Sequence, residues 1–590
     1  MISPVDSTTG LSAHPGWGLA PALAAGLGIV LLGLWSGGYG PTAWGWSALA
    51  GLWACAVRLG WPGRCEVGRP PAVLLVLLAA LSMWTATSIV WSFSRPETAH
   101  EAARTLVYLG FVGALVLLLR PSMRDALLVC VSAAVSVIVV VALAIYFLRV
   151  RAPDPTQGSL LFRPVGYANA LGGLAAIPLP LLLATATRDN GRHDPLRTAA
   201  AAALVPFAAA VYLTQSRAAV LATAVGIAYW LVRARPGPLA SRLVGSIVAP
   251  ALTVASLAAL DLTRTADGDP GRGTRQAIGA LAVVAGSALA AFAPGRSRLL
   301  HGLDRRRAGK RVIAAAGAAV AAAGLAQLVT SGIGDRAAYW QVAWRTFVAR
   351  PIHGAGAGSF AAKWIQLRTV DRGVLDAHNL YLETLAELGL VGALLLVSVL
   401  ALPIVCARRS REPVTVAAVG SYSVYLVHAA FEWDWEMPVV TLAALAIGAA
   451  IVIDASHRPP AVLGRLPRVL SLAAAATAIA FAFVSLVGQT EVTSAERQSA
   501  QGDGAGAATG ARRAARLLPW ASAPWLVLGD LDLRARDAAG ARRAYRTAAH
   551  RDPNDWQIWL RLSLVTVGHE ADRARDRALR LNPRLAGAPS

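Results

Sequence analysis

Residues Gly334–Gly392 read GDRAAYWQVAWRTFVARPIHGAGAGSFAAKWIQLRTVDRGVLDAHNLYLETLAELGLVG. The stretch is a polar island, rich in Arg, Trp and Gly, between long apolar runs. It closes on Asp376-Ala377-His378-Asn379 and passes straight back into an apolar helix. The hydrocarbon core of a bilayer admits no irregular lipid-exposed backbone. A long polar loop pinned between two apolar runs therefore belongs at a membrane surface, where a membrane enzyme would keep its chemistry.

Composition agrees with that frame. Of 590 residues 56% are hydrophobic and 15% charged, with mean hydropathy +0.52; a soluble domain carries about a quarter charged residues. The net charge of +22 does not point to nucleic acid, because the arginines lie between apolar runs and form no single basic face. Apolar runs long enough to span predict an all-α polytopic membrane protein with about 15 transmembrane helices, the first near 17–35 and the last near 468–487. Every second loop is basic: Arg58, Arg64 and Arg69; Arg120 and Arg124; Arg188, Arg192 and Arg197; Arg233, Arg235 and Arg242; the run Arg296–Arg311; Arg408, Arg409 and Arg411; Arg458, Arg465 and Arg468. By the positive-inside rule these loops face the cytoplasm. The N-terminus is then inside, and the organising loop and the C-terminus outside. Cys55, Cys65, Cys130 and Cys406 all fall away from the outer face, so no disulfide is expected, and no cleavable signal is evident.

The chain divides into N-terminal transmembrane helices (1–329), a large external loop (330–383), C-terminal transmembrane helices (384–487), a linker (488–518) containing the soft run GDGAGAATG, and a helical-repeat tail (519–590). In the tail Pro519, Trp525 and Leu528 recur as Pro553, Trp559 and Leu562. This 34-residue period resembles the tetratricopeptide repeat. The alternative is an amphipathic, arginine-rich tail lying on the membrane. The linker predicts a docking module, for a wall-assembly protein, held apart from the catalytic centre.

Three patterns in the organising stretch carry a resemblance: R-x-x-x-W from Arg336, P-x-x-G-x-G-x-G-x-F from Pro351, and H-N-x-Y-L-x-x-L-x-E-x-G-x-x-G from His378. Together they resemble the O-antigen ligase and polysaccharide polymerase family. The resemblance implies a membrane glycosyltransferase acting outside the cytoplasmic membrane without metal or other cofactor. It would invert configuration while moving a glycan from a polyprenyl-diphosphate donor to a glycan, lipid or protein acceptor. Such transfer needs cations on the diphosphate and a base for the acceptor hydroxyl. The family's positions put Arg336 and Arg217, in Thr214-Gln215-Ser216-Arg217, on the diphosphate, where a guanidinium fork suits phosphate. His378 becomes the base. Asn169, in RPVGYANALGG (163–173), and Asn379, Asp376 and Glu383 become substrate-binding candidates. Each also has a structural reading: lipid-headgroup contact for the arginines, helix packing for Asn169, helix capping for Asp376. Arg345 and Arg350 read as headgroup contacts, Glu387 as a packing residue, and the amides of Gly354–Phe360 as possible phosphate contacts.

The acidic pairs Asp267-Gly268-Asp269 and Glu432-Trp433-Asp434 lack clustered histidines, and no metal site is expected. Two rival readings remain. A lipid-linked glycan exporter would carry polar groups through the middle of its spans; a non-catalytic scaffold of a wall-synthesis complex would explain the tail but not Arg217, Arg336 and His378.

Overall fold

The computed structural model describes residues 18–148, 154–188, 194–233, 239–264, 271–292, 334, 336–455 and 460–587. The basic run Arg296–Arg311, the span expected over 312–329, the Asp267-Gly268-Asp269 pair and Arg192, Arg235 and Arg458 lie outside these residues. The described residues are helical almost throughout. In the first half come α1 (Ala20–Leu34), α2 (Pro41–Gly60), α3 (Arg69–Thr87), α4 (Arg95–Leu118), α5 (Arg124–Leu148), α6 (Ala168–Ala176), α7 (Leu179–Ala186), α8 (Pro195–Leu213), α9 (Arg217–Arg233), α10 (Leu239–Ala259) and α11 (Arg272–Phe292). The organising stretch contributes α12 (Arg336–Ala349) and α13 (Phe360–Leu367) and opens α14 (Leu380–Ala407). Next come α15 (Pro413–His428), α16 (Pro438–Asp454) and α17 (Arg465–Ala500). Among the described residues, nine helices are long and apolar enough to cross a membrane, with two shorter apolar ones, α1 and α16.

One of the short helices is the hub. PVVTLAALAIGAAIVID carries no charge before Asp454, and every residue from Pro438 to Ile453 is buried. A helix apolar on all sides must be surrounded, and α16 packs against α1, α3, α4, α5, α6, α14 and α15. Its first residue therefore sits at the middle of one end of the bundle, directly below the acidic run 432–436.

The two ends of the bundle differ. At one, Arg58 donates to the Arg64 carbonyl at 2.9 Å, Arg233 to the Arg408 and Ser410 carbonyls at 3.0 Å, and Arg124 meets Asp454 at 2.8 Å. There, too, β1 (Glu66–Val67) pairs antiparallel with β2 (Ala461–Val462). The organising stretch lies at the opposite end.

Residues 488–518 are helical, where a linker is expected. α17 runs on to Ala500, and α18 (Gly504–Leu517) follows after a tight turn. The Asp503 side chain caps α18 by accepting from Gly506 N at 2.9 Å. The alanines of the glycine-rich run then serve as helix formers, and Ala495 buries against Ala511, Val492 against Ala514 and Leu518. Beyond it the tail forms two helix pairs, α19 (Ala523–Arg534) with α20 (Ala538–Arg551) and α21 (Trp556–Leu564) with α22 (His569–Leu581). The tail is not held apart. Ser94 Oγ donates to Asp552 Oδ2 at 2.9 Å, Asn554 Nδ2 to the Phe93 carbonyl at 2.7 Å, and Arg584 to the Thr369 carbonyl.

Candidate functional site

The acidic run at the head of α16 organises this end of the bundle. Glu432 is 1% exposed, and a carboxylate so placed must be paired. Two segments supply the partners: Arg336 at the start of α12 forms an ion pair with it, and at the start of α6 Asn169 Nδ2 donates at 2.8 Å and the Tyr167 hydroxyl at 3.0 Å. Asn169 Nδ2 also donates to Tyr167 Oη at 2.9 Å. Both amide N–H groups are thus spent, and Oδ1 is the acceptor that remains. Burial, with Glu432 adding to it, raises the Tyr167 phenol well above its ordinary pKa, so its proton stays in place to donate. Two residues on, Asp434 accepts from His428 Nδ1 at 2.6 Å with both side chains buried.

His378 stands against this cluster. Its backbone is in the left-handed region, φ +52°, uncommon for a residue with Cβ though tolerated by histidine. Asn379 then opens α14 as its N-cap, Oδ1 accepting from Tyr381 N at 3.1 Å and Leu382 N at 3.0 Å. The His378 ring lies 5.6 Å from Tyr339 and 6.4 Å from Trp433 between ring centroids. Nδ1 is 3.1 Å from the Asp376 carbonyl. A carbonyl only accepts, so Nδ1 carries the proton and Nε2 presents a lone pair. Burial pushes the pKa below the ordinary histidine value, and Arg336 adds to it; Glu432 and the Asp376 carbonyl oppose. The ring is neutral at neutral pH.

The remaining candidates fall into place around this pair. Arg217 opens α9 at the same end and is exposed, and Gly172 of α6 lies against Thr214 and Ser216 just before it. Arg217 therefore opens a helix packed beside the one that carries Asn169, at the same end of the bundle as His378 and Arg336. The amide of Ala377 donates to Glu383 at 2.6 Å. Asn379 and Glu383 thus shape the turn that holds His378, and capping falls to Asn379, not Asp376.

The Gly354–Phe360 amides are not available to phosphate, because each already has a protein acceptor. Glu387 carboxylate oxygens take the amides of Gly358 and Phe360, both at 2.8 Å, and Ser88 Oγ takes that of Ala357. The other four go to backbone carbonyls of Arg350, Ala386, Glu387 and Gly356. The loop lies so close to α14 that a Cβ at Gly354, φ +69°, would come within 2.3 Å of Glu387 backbone atoms.

Asp376 faces the other way, into a cavity of about 500 Å³ that Glu97, Glu101, Glu383 and Glu387 also line and Asp552 of the tail closes. Burial, with Glu101 adding and Arg104 opposing, raises the Asp376 carboxyl to about 7. Oxygens of Asp376, Glu383 and Glu436 lie within 4.8 Å of one another, the spacing of a cation site. Arg104, buried between Glu101 and Glu436, already supplies the positive charge there.

Sequence reasoning missed Glu432 as the centre of the cluster and the His428–Asp434 pair, having weighed Glu432 and Asp434 only as metal ligands. The available signal was a run of three acids among tryptophans, E-W-D-W-E, at the head of a wholly apolar helix. Residues 202–397 match the family model described as O-Antigen ligase. The matched segment takes in Arg217, Arg336 and the whole His378–Gly392 pattern, and excludes Asn169 and Glu432. No curated protein matches the chain.

Proposed function

We propose that the chain transfers or polymerises a glycan from a polyprenyl-diphosphate donor at the outer face of the cytoplasmic membrane, in cell-surface polysaccharide assembly. The observation that carries this reading is the fixed tautomer of His378, with Nε2 free of the Asp376 carbonyl and the Arg336 guanidinium one cluster away. The match of residues 202–397 to the O-Antigen ligase model supports it.

The acceptor hydroxyl attacks the anomeric carbon from the face opposite the diphosphate. Its proton passes to His378 Nε2 as the new C–O bond forms. The bond from sugar to diphosphate breaks with its electron pair on the departing phosphate oxygen, and Arg336 and Arg217 stabilise that charge. A single displacement inverts configuration and needs no metal. Glu432 holds Arg336 in place through its buried pair, while Asn379 and Glu383 hold the His378 turn. Asn169 Oδ1 is positioned to accept from a sugar hydroxyl.

The donor-binding half of the reading is tested with a fluorescent polyprenyl-diphosphate oligosaccharide and the purified protein. Arg217→Lys keeps charge but loses the fork, and is expected to insert normally and bind the donor more weakly. Unchanged binding in both Arg217→Ala and Arg336→Lys would make these arginines headgroup contacts.

A further inference from the structure

A second concavity, of about 820 Å³, lies between the tail and the loop joining α3 to α4. Its charge is opposite to that of the acidic cavity. Five arginines from three elements line it: Arg95 at the start of α4, Arg546 on α20, and Arg573, Arg577 and Arg580 on α22. Glu570 is the one carboxylate in its lining, and it is paired with Arg546 at 2.6 Å. Arg577 is held against the junction, donating to Asn554 Oδ1 at 2.8 Å.

The arrangement is costly for the helix that carries it. Arg573, Arg577 and Arg580 recur at i, i+4 and i+7, one stripe extending about 10 Å along α22. Like charges at such spacing repel one another along a helix. Of the acids of α22, Glu570 lines the groove paired with Arg546, while Asp572 and Asp576 are absent from the lining. Guanidinium forks match carboxylate and phosphate oxygens in pairs. Trp559 and Phe93 also line the groove, and Lys363 Nζ sits 3.6 Å over one face of the Phe93 ring.

We propose that this groove binds an anionic glycan, a sugar polymer bearing repeated carboxylate or phosphate groups. Charge repeated along a stripe, with aromatic side chains in the same lining, suits a linear polyanion of sugar rings better than a single headgroup. One wall of the groove, at Ser92–Arg95, adjoins Ser94, which lines the acidic cavity. The carboxylates beyond Ser94 repel the polyanion and confine it to the groove. That the bound strand is the transfer acceptor rests on the reading above; its binding does not.

The test therefore reads binding and not turnover. The full-length protein, in discs of neutral lipid, is titrated into fluorescent polygalacturonate at rising salt. The expected result is binding that weakens with salt, is about tenfold or more weaker in R573S/R580S, is partly kept in R573K/R580K, and is unchanged in H378A. Arg573 and Arg580 are exposed, so the substitutions leave the fold intact, which melting of the variants checks. Neutral dextran should not compete. The proposal is overturned if polygalacturonate does not bind, if R573S/R580S binds it as wild type does, or if polyglutamate or phosphatidylglycerol vesicles displace it at equal charge concentration.

Discussion

At the scale of single residues, Glu432 carries the most consequence. It is buried and neutralised chiefly by Arg336, so removing either partner leaves an uncompensated charge, at a cost of about 3–5 kcal/mol. Glu432→Ala and Arg336→Ala should each lower the melting temperature sharply, and the double variant should lose much less than the sum. Additive losses in that cycle would mean the two do not act as a pair. His378 carries the pH dependence. Its folded pKa lies below the ordinary value near 6.5, so the lone pair on Nε2 is already available at neutral pH. Turnover should rise with pH through one ionisation below 6.5 and then stay level, and that step should be missing in His378→Gln. The same shift makes stability present above about pH 6.5 and lost as pH falls toward the folded pKa. Asp376 has the opposite sign. With a folded pKa of about 7, its contribution is full below the unfolded carboxyl value and lost as pH rises through 7. Asp376→Asn should therefore flatten a decline in melting temperature between about pH 4 and 7, and an equal decline in both proteins would refute the assignment. That His378 stands where the loop becomes helix was legible in the sequence because its motif is local. Glu432 was not, since its role exists only where residues 169, 336 and 432 meet.

At the scale of elements, the start of α14 shows how local chemistry aims the site. Asn379 caps the helix with two backbone hydrogen bonds, so Asn379→Ala should cost about 0.5–2 kcal/mol and blur the placement of His378. Asn379→Asp keeps the cap and should keep stability. If both variants melt alike, the cap is not what orders the turn. Helices over apolar runs were legible from length alone. The linker was misread because Gly and Ala in GDGAGAATG resemble a flexible spacer until Asp503 caps them and α17 offers a face to pack on. The Gly354–Phe360 loop was misread for a related reason: its amides look free in the sequence, while Glu387, which engages them, lies a helix away.

At the scale of the whole molecule, α16 explains why the acidic cluster lies where it does, since an apolar helix at the centre of the bundle lifts an acidic run to one end. The described basic loops gather at the other end, so a reporter active only outside the cell, fused after Ser590, should be active, and silent when fused after Arg409; the reverse pattern would invert the topology. The tail closes the acidic cavity through Asp552 and Asn554, so deleting residues 519–590 should lower transfer in detergent as well as in cells. Full activity of the truncated protein in detergent would restore the view of the tail as a detached docking module. The central claim is that His378 is the base for glycan transfer. It is tested most directly by giving purified protein a lipid-linked oligosaccharide and an acceptor, with a chelator present, and measuring released polyprenyl diphosphate together with the enlarged glycan. The account predicts transfer by wild type, and in His378→Ala a loss of about 10²–10⁴-fold with donor binding retained; wild-type turnover in that variant, or no transfer by the intact protein, would contradict it.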